Sequence, residues 1–161
     1  MRGINTLYIS HIAGESYHKA VQKNASTEIA GAFALKKWNT SSTARVVAFQ
    51  EYTDANKTRD SVSFTTDDMD KADESFSQKW YRHAWTTHSH VQRLWHTYDR
   101  SDQDKTMISQ HKNDERTDFH VLGYRKEWET VLKAVNRYGK EISLVFDDGQ
   151  RGESITIWYT T

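Results

Sequence analysis

Four of the eight histidines and three of the six tryptophans fall between Lys79 and Arg100. The run opens Lys79-Trp80-Tyr81-Arg82-His83-Ala84-Trp85-Thr86-Thr87-His88-Ser89-His90 and continues through Arg93, Trp95 and His96. Imidazoles at this density suit proton transfer near neutral pH or metal ligation. Aromatic rings with arginines between them suit stacking on bases or the centre of a protein interface.

The acid–base reading draws in Glu51. It follows Val47 and Phe49 at period two, so a carboxylate falls on an otherwise apolar strand face. A carboxylate so placed needs Arg, Lys or backbone donors, and it is the kind that general acid–base catalysis uses. Glu51, His83 and His88 are therefore the candidate catalytic residues. Cleavage of a phosphodiester would add Arg82 or Arg93 for the developing charge, with His11 a further strand-borne imidazole.

Metal ligation has less support in the sequence. Two histidines on a helix hold a metal at i and i+4, and on a strand at i and i+2. His83 stands seven residues before His90, and the pair His88 and His90 points apart unless the chain there is extended. There is no H-E-x-x-H sequence, and the absence of cysteine excludes thiolate zinc sites and thiol nucleophiles. Neither a metal nor another cofactor is expected. No G-x-S-x-G elbow occurs, and no histidine is followed by x-Thr or x-Ser, as a paired-histidine phosphoesterase would require.

The elements that must position these residues follow from hydrophobic periodicity. Leu7 to Ile12 reads as a strand, and Tyr17, Ala20, Val21 and Asn24 form a short helix face after it. Ala32 to Trp38 and Arg45 to Tyr52 read as strands around the polar run Asn39 to Ser42, and Ser61 to Thr65 as a further short strand. Thr66 is the expected N-cap of a helix, since Asp67, Asp68 and Asp70 complement its dipole. Phe76, Trp80, Ala84, Thr87, Val91, Leu94 and Tyr98 then step by three and four, which predicts a long helix kinked near His88, where Thr86 to Ser89 is poor helix material.

A second stripe of that helix, Tyr81, Trp85, His88, Gln92 and Trp95, exceeds what one core face requires. Tyr81, Arg82, Trp85, His88, Arg93 and Trp95 are accordingly the candidate binding residues. The segment 99–118 is polar, with Met107 and Ile108 its only sizeable apolar residues. Beyond it, Phe119 to Tyr124 reads as a strand. Trp128, Val131, Leu132, Val135 and Tyr138 give a helical stripe with Gly139 as its C-cap, and Trp128 is expected in the core. Ile142, Leu144 and Phe146 alternate, Asp147-Asp148-Gly149 turns the chain, and Ile155, Ile157 and Tyr159 alternate back.

The expected architecture is one α+β domain over 1–161, an antiparallel or mixed sheet of five to seven strands with its helices mainly on one face. A β-α-β-β order at each end is compatible with a ferredoxin-like core. The 161 residues suffice for a core without disulfides or metal. Lys plus Arg equals Asp plus Glu at 22 each, so no net field draws the chain to nucleic acid, which stays a possible partner through a local patch only. No apolar stretch reaches membrane-spanning length, and Met1 to Ser10 lacks the apolar core of a signal peptide. These features point to a soluble, cytoplasmic binding, inhibitory or regulatory protein that contacts a protein partner or a second copy of itself. The alternative is a small metal-independent enzyme, a lyase or a phosphodiesterase or ribonuclease, acting on a nucleotide or small metabolite.

Overall fold

A computed structural model describes residues 4–24, 26–36, 42–58, 62–79, 81–91, 119–136 and 140–158, with the backbone alone for 82–91. The first strand, β1 (Thr6–Ile9), leads into helix α1 (His11–Lys23). Ser10 caps that helix by accepting the Ala13 N–H at 3.2 Å. Ala13, Gly14, Tyr17, Ala20 and Val21 make its buried face. Strands β2 (Ala30–Leu35) and β3 (Thr43–Glu51) pair antiparallel, as the two apolar runs around a polar segment imply. The short strands β4 (Asn56–Lys57) and β5 (Val62–Ser63) form a separate two-stranded ribbon.

Helix α2 (Thr66–Ser77) begins one residue earlier than its acidic turn suggests. Thr65 is the N-cap, because Asp68 at the third helical position closes a capping box with it: Asp68 accepts the Thr65 N–H at 2.8 Å. The helix then stops. The chain from Arg82 to Val91 is strand β6, not the continuation of a long helix. Trp85, Thr86, Thr87 and Val91 are better suited to a pleated surface than to a helix, and a central sheet position decides between the two periods.

The same correction applies after residue 119. Strands β7 (Phe119–Lys126) and β8 (Glu129–Asn136) form an antiparallel hairpin where a strand and a helix were expected. Val131, Leu132, Ala134 and Val135 are all buried, so β8 is covered on both faces. A short apolar run of that kind carries no period that separates strand from helix. Trp128 lies in the hairpin turn after Glu127, whose φ is 55°, and is 67% exposed, so it is not a core residue. Tyr138 and Gly139 lie outside the described residues. Strands β9 (Ser143–Phe146) and β11 (Ile155–Ile157) follow the alternation read from the sequence, but the strand that turns back on β9 after Gly149 (φ 99°) is the short β10 (Arg151–Gly152), and β11 pairs with β8 instead.

The chain is α+β, with a mixed sheet in the order β10-β9-β1-β3-β2-β6-β7-β8-β11. β1 runs parallel to β3 and β9, β6 parallel to β7, and the remaining pairs are antiparallel. The sheet is larger than expected, and its helices do not share one face. α1 packs with Ile29, Phe33 and Leu35 of the β2 segment, whereas Met69, Ala72 and Phe76 of α2 pack on Ala30, Ala32 and Ala34. Odd and even residues of one strand point to opposite faces, so the helices lie on opposite sides of β2. The sheet curls around α1. Phe146 of β9 and Ile157 of β11, near opposite ends of the strand order, both border Gly14. Gly123 of β7 lies against the Tyr17 ring with no room for a Cβ atom. Among the described residues no helix is long and apolar enough to cross a membrane.

Candidate functional site

β6 occupies the middle of the sheet, between β2 and β7, so its residues are placed by register on both sides. Ala30 stands opposite His88, Gly31 opposite Thr87 and Ala32 opposite Thr86. The register then shifts, and Ala84 stands opposite Phe33, which leaves Trp85 as the extra residue of a β-bulge. On the other side His88 lies beside Leu122 and His90 beside Tyr124. Opposed residues share a face, so His88 and His90 belong to the face of Ala30, Ala32 and α2.

Extended backbone changes what the H-x-H pair can do. On a helix these positions diverge, whereas on a strand i and i+2 fall on one face roughly 6.5–7 Å apart.

A carboxylate enters from the neighbouring segment. Glu28 precedes β2 by two residues, is 6% exposed, and donates its backbone N–H to the Thr58 carbonyl at 2.7 Å. Glu28 lies outside the strand, two residues before Ala30, the register partner of His88. By backbone register His88 and His90 fall on one sheet face, and Glu28 precedes the strand that pairs with His88. Leu122 and Tyr124, the β7 register partners of His88 and His90, are 1% and 0% exposed. Two histidines and one carboxylate form a standard donor set for a divalent ion of the zinc type, with a coordination position left for water. Among the residues whose side chains are described, which leave out β6, no three such donors come together.

The remaining candidates are dispersed. Glu51 stands opposite Gly31, on the sheet face turned away from Ala30 and His88, and is ion-paired with Lys57 at 3.1 Å. It does not join His88. His83 stands opposite Ala34, on the far side of the bulge from His88. The binding stripe Tyr81, Arg82, Trp85, His88, Arg93 and Trp95 was founded on a helix, and its members from Arg82 to His88 lie on β6 instead. Tyr81 is half-buried against the cluster beneath α2, and Trp80, Arg93 and Trp95 lie outside the described residues, as does the segment 99–118. His11 is exposed at the start of α1 and ion-paired with Glu15 at 3.0 Å. His18 is a core histidine. Its Nδ1 lies 2.7 Å from Thr130 Oγ1, and burial lowers its pKa against the opposing pull of Glu15.

Sequence reasoning overlooked Glu28. The available signal was the run Ile29 to Leu35, seven residues without a polar side chain, which marks a strand covered on both faces and makes a carboxylate at its mouth unusual.

No family model and no curated protein matches the chain. Among solved structures, the solution structure of protein DSY2949 from Desulfitobacterium hafniense superposes with a TM-score of 0.68 at 12% identity, over 88% of this chain and 92% of that one. AF2198, a JAB1/MPN domain protein from Archaeoglobus fulgidus, gives a TM-score of 0.49 at 13% identity, over 88% of this chain and 97% of that one. At such identities the likeness to DSY2949 is one of fold, and the chain shares with it the mixed α+β architecture described above.

Proposed function

We propose that this protein is a metal-dependent hydrolase whose divalent ion is held by Glu28, His88 and His90. The supporting observation is the strand register, which puts His88 and His90 on one face and pairs His88 with Ala30, two residues after the buried Glu28. The donor types are those of peptide-hydrolysing zinc sites, and the substrate class is accordingly an amide. A zinc-type ion bound there would polarise the scissile carbonyl and lower the pKa of water at its open position towards neutrality. The protein's own part is positional. The sheet backbone fixes the spacing of His88 and His90, and the Thr58 carbonyl holds the backbone of Glu28. The β7 partners of the two histidines, Leu122 and Tyr124, are buried, and low exposure of this kind strengthens electrostatic contacts.

The test is titration of metal-free protein with Zn²⁺ against a chromophoric chelator, with His88→Ala, His90→Ala and Glu28→Gln beside wild type. One equivalent should bind to wild type, and each variant should lose affinity by about tenfold or more. Hydrolysis of a quenched fluorescent peptide mixture should require the same three side chains. A wild type that takes up no Zn²⁺, or histidine variants that bind it unchanged, would refute the assignment.

A further inference from the structure

We infer that Lys57 is a positioning residue for Glu28, an inference that rests on the metal-site reading above. Glu28 lies outside regular structure, between the end of α1 and the start of β2, so its place depends on what fixes its two backbone neighbours. The first is the segment leaving α1. Asn24 is locked to that helix by its Nδ2, which donates to the Ala20 carbonyl at 2.7 Å, and by its backbone N–H to the same carbonyl at 3.2 Å. The Asn24 carbonyl in turn accepts the Thr27 N–H at 3.2 Å, one residue before Glu28. The second is Thr58, whose carbonyl accepts the Glu28 N–H at 2.7 Å.

Lys57 joins the two. Its ammonium donates to Asn24 Oδ1 at 3.0 Å and to Glu51 Oε2 at 3.1 Å, and the next residue along the chain is Thr58. The orientation of the Asn24 amide is set by its bond to Ala20, so its oxygen is held towards Lys57. Glu51 stands opposite Gly31, so the same ammonium also references the ribbon to β2, the strand that Glu28 precedes. The clamp is needed because β4 and β5 pair over only two residues each, outside the large sheet, and a ribbon that short does not hold its own geometry. Lys57 and Glu51 are 24% and 16% exposed at their side chains, so water screens their bond less than it does a surface pair. This reading gives Glu51 a structural purpose in place of the catalytic one its strand position suggests.

The experiment uses metal-free full-length protein and Co²⁺ as the probe, read by its visible absorption in competition with a chelator. Wild type is compared with Lys57→Met and Lys57→Arg. Lys71→Met serves as a control, because it breaks the exposed pair to Asp54 at 3.0 Å in the same part of the molecule. Melting of each variant in excess chelator reports folding separately from metal binding. Lys57→Met should bind Co²⁺ at least about tenfold more weakly with an altered absorption envelope, as loss of a group that orients a ligand does. Lys57→Arg should recover most of the affinity, and Lys71→Met should match wild type.

Unchanged Co²⁺ binding by Lys57→Met overturns the inference, as does an equal loss in Lys71→Met, which would reduce the effect to general charge. Where Lys57→Met fails to fold, Glu51→Gln carries the same comparison, and its unchanged affinity overturns the inference equally. A wild type that takes up no Co²⁺ removes the metal-site reading itself, whereas binding to wild type that is indifferent to Lys57 removes only this one.

Discussion

At the scale of single residues, the histidines divide by what surrounds them. His18 is enclosed by α1 and β8, with Thr130 Oγ1 at 2.7 Å, and burial lowers its pKa below the ordinary imidazole value while Glu15 opposes the shift. The native state therefore prefers His18 neutral. Above the unfolded-state pKa, about 6.5, both states hold it neutral and its contribution to stability is complete. As pH falls below that value the unfolded chain takes up the proton first, and stability declines until the lower native pKa is reached. His18→Gln keeps a hydrogen-bonding partner for Thr130 and removes this titration. Urea midpoints of wild type and His18→Gln between pH 7.5 and 5 should diverge in the acid range, with wild type losing more. Parallel curves would mean that His18 does not titrate differently in the two states.

At the scale of elements, two segments read as helices are strands, for related reasons. β6 carries apolar and aromatic residues at spacings that fit a helix stripe, and β8 is a short apolar run, Val131 to Val135, interrupted only by Lys133. In both, a place inside the sheet supplies partners on two sides, and tertiary pairing overrides a weak local period. The position of Trp128 shows the consequence. As the first residue of a helix it would sit in the core, and its removal would cost roughly 3–5 kcal/mol. In the β7–β8 turn it is 67% exposed. Trp128→Ala should therefore change stability by no more than about 0.5–1 kcal/mol, as a surface substitution does. A denaturant midpoint lowered by several kcal/mol would show that the hairpin is wrongly placed.

At the scale of the whole molecule, the core among the described residues consists of apolar side chains. One large cluster surrounds α1 and a second lies under α2. The chain should consequently fold in the presence of a chelator. Ligation by Glu28, His88 and His90 would add stability by mass action, about 2.7 kcal/mol at a free Zn²⁺ concentration a hundred times its Kd. For a domain of this size that is an increase in Tm of about 5–10 °C. Calorimetry with chelator and with Zn²⁺ measures it, and wild type should show an increase that His88→Ala lacks. Coincident curves for zinc-loaded and metal-free wild type would contradict ligation in the native state.

The sequence by itself determined the elements whose signals are local. α1 follows from its apolar spacing, and the C-terminal alternation around Asp147-Asp148-Gly149 follows from turn chemistry, because each is decided by neighbours within a few residues. It also determined the α+β class and marked the histidine-rich segment as chemically unusual. Only the tertiary structure decided that this segment is a strand, since its competing periods are settled by pairing with β2 and β7, more than thirty residues away on either side. The same pairing put Glu51 on the face turned away from His88 and set His88 opposite Ala30, fifty-eight residues apart in sequence. A donor set of the kind proposed, drawn from separate segments, has no local spacing to read. It exists only once hydrogen-bond register fixes which residues share a face.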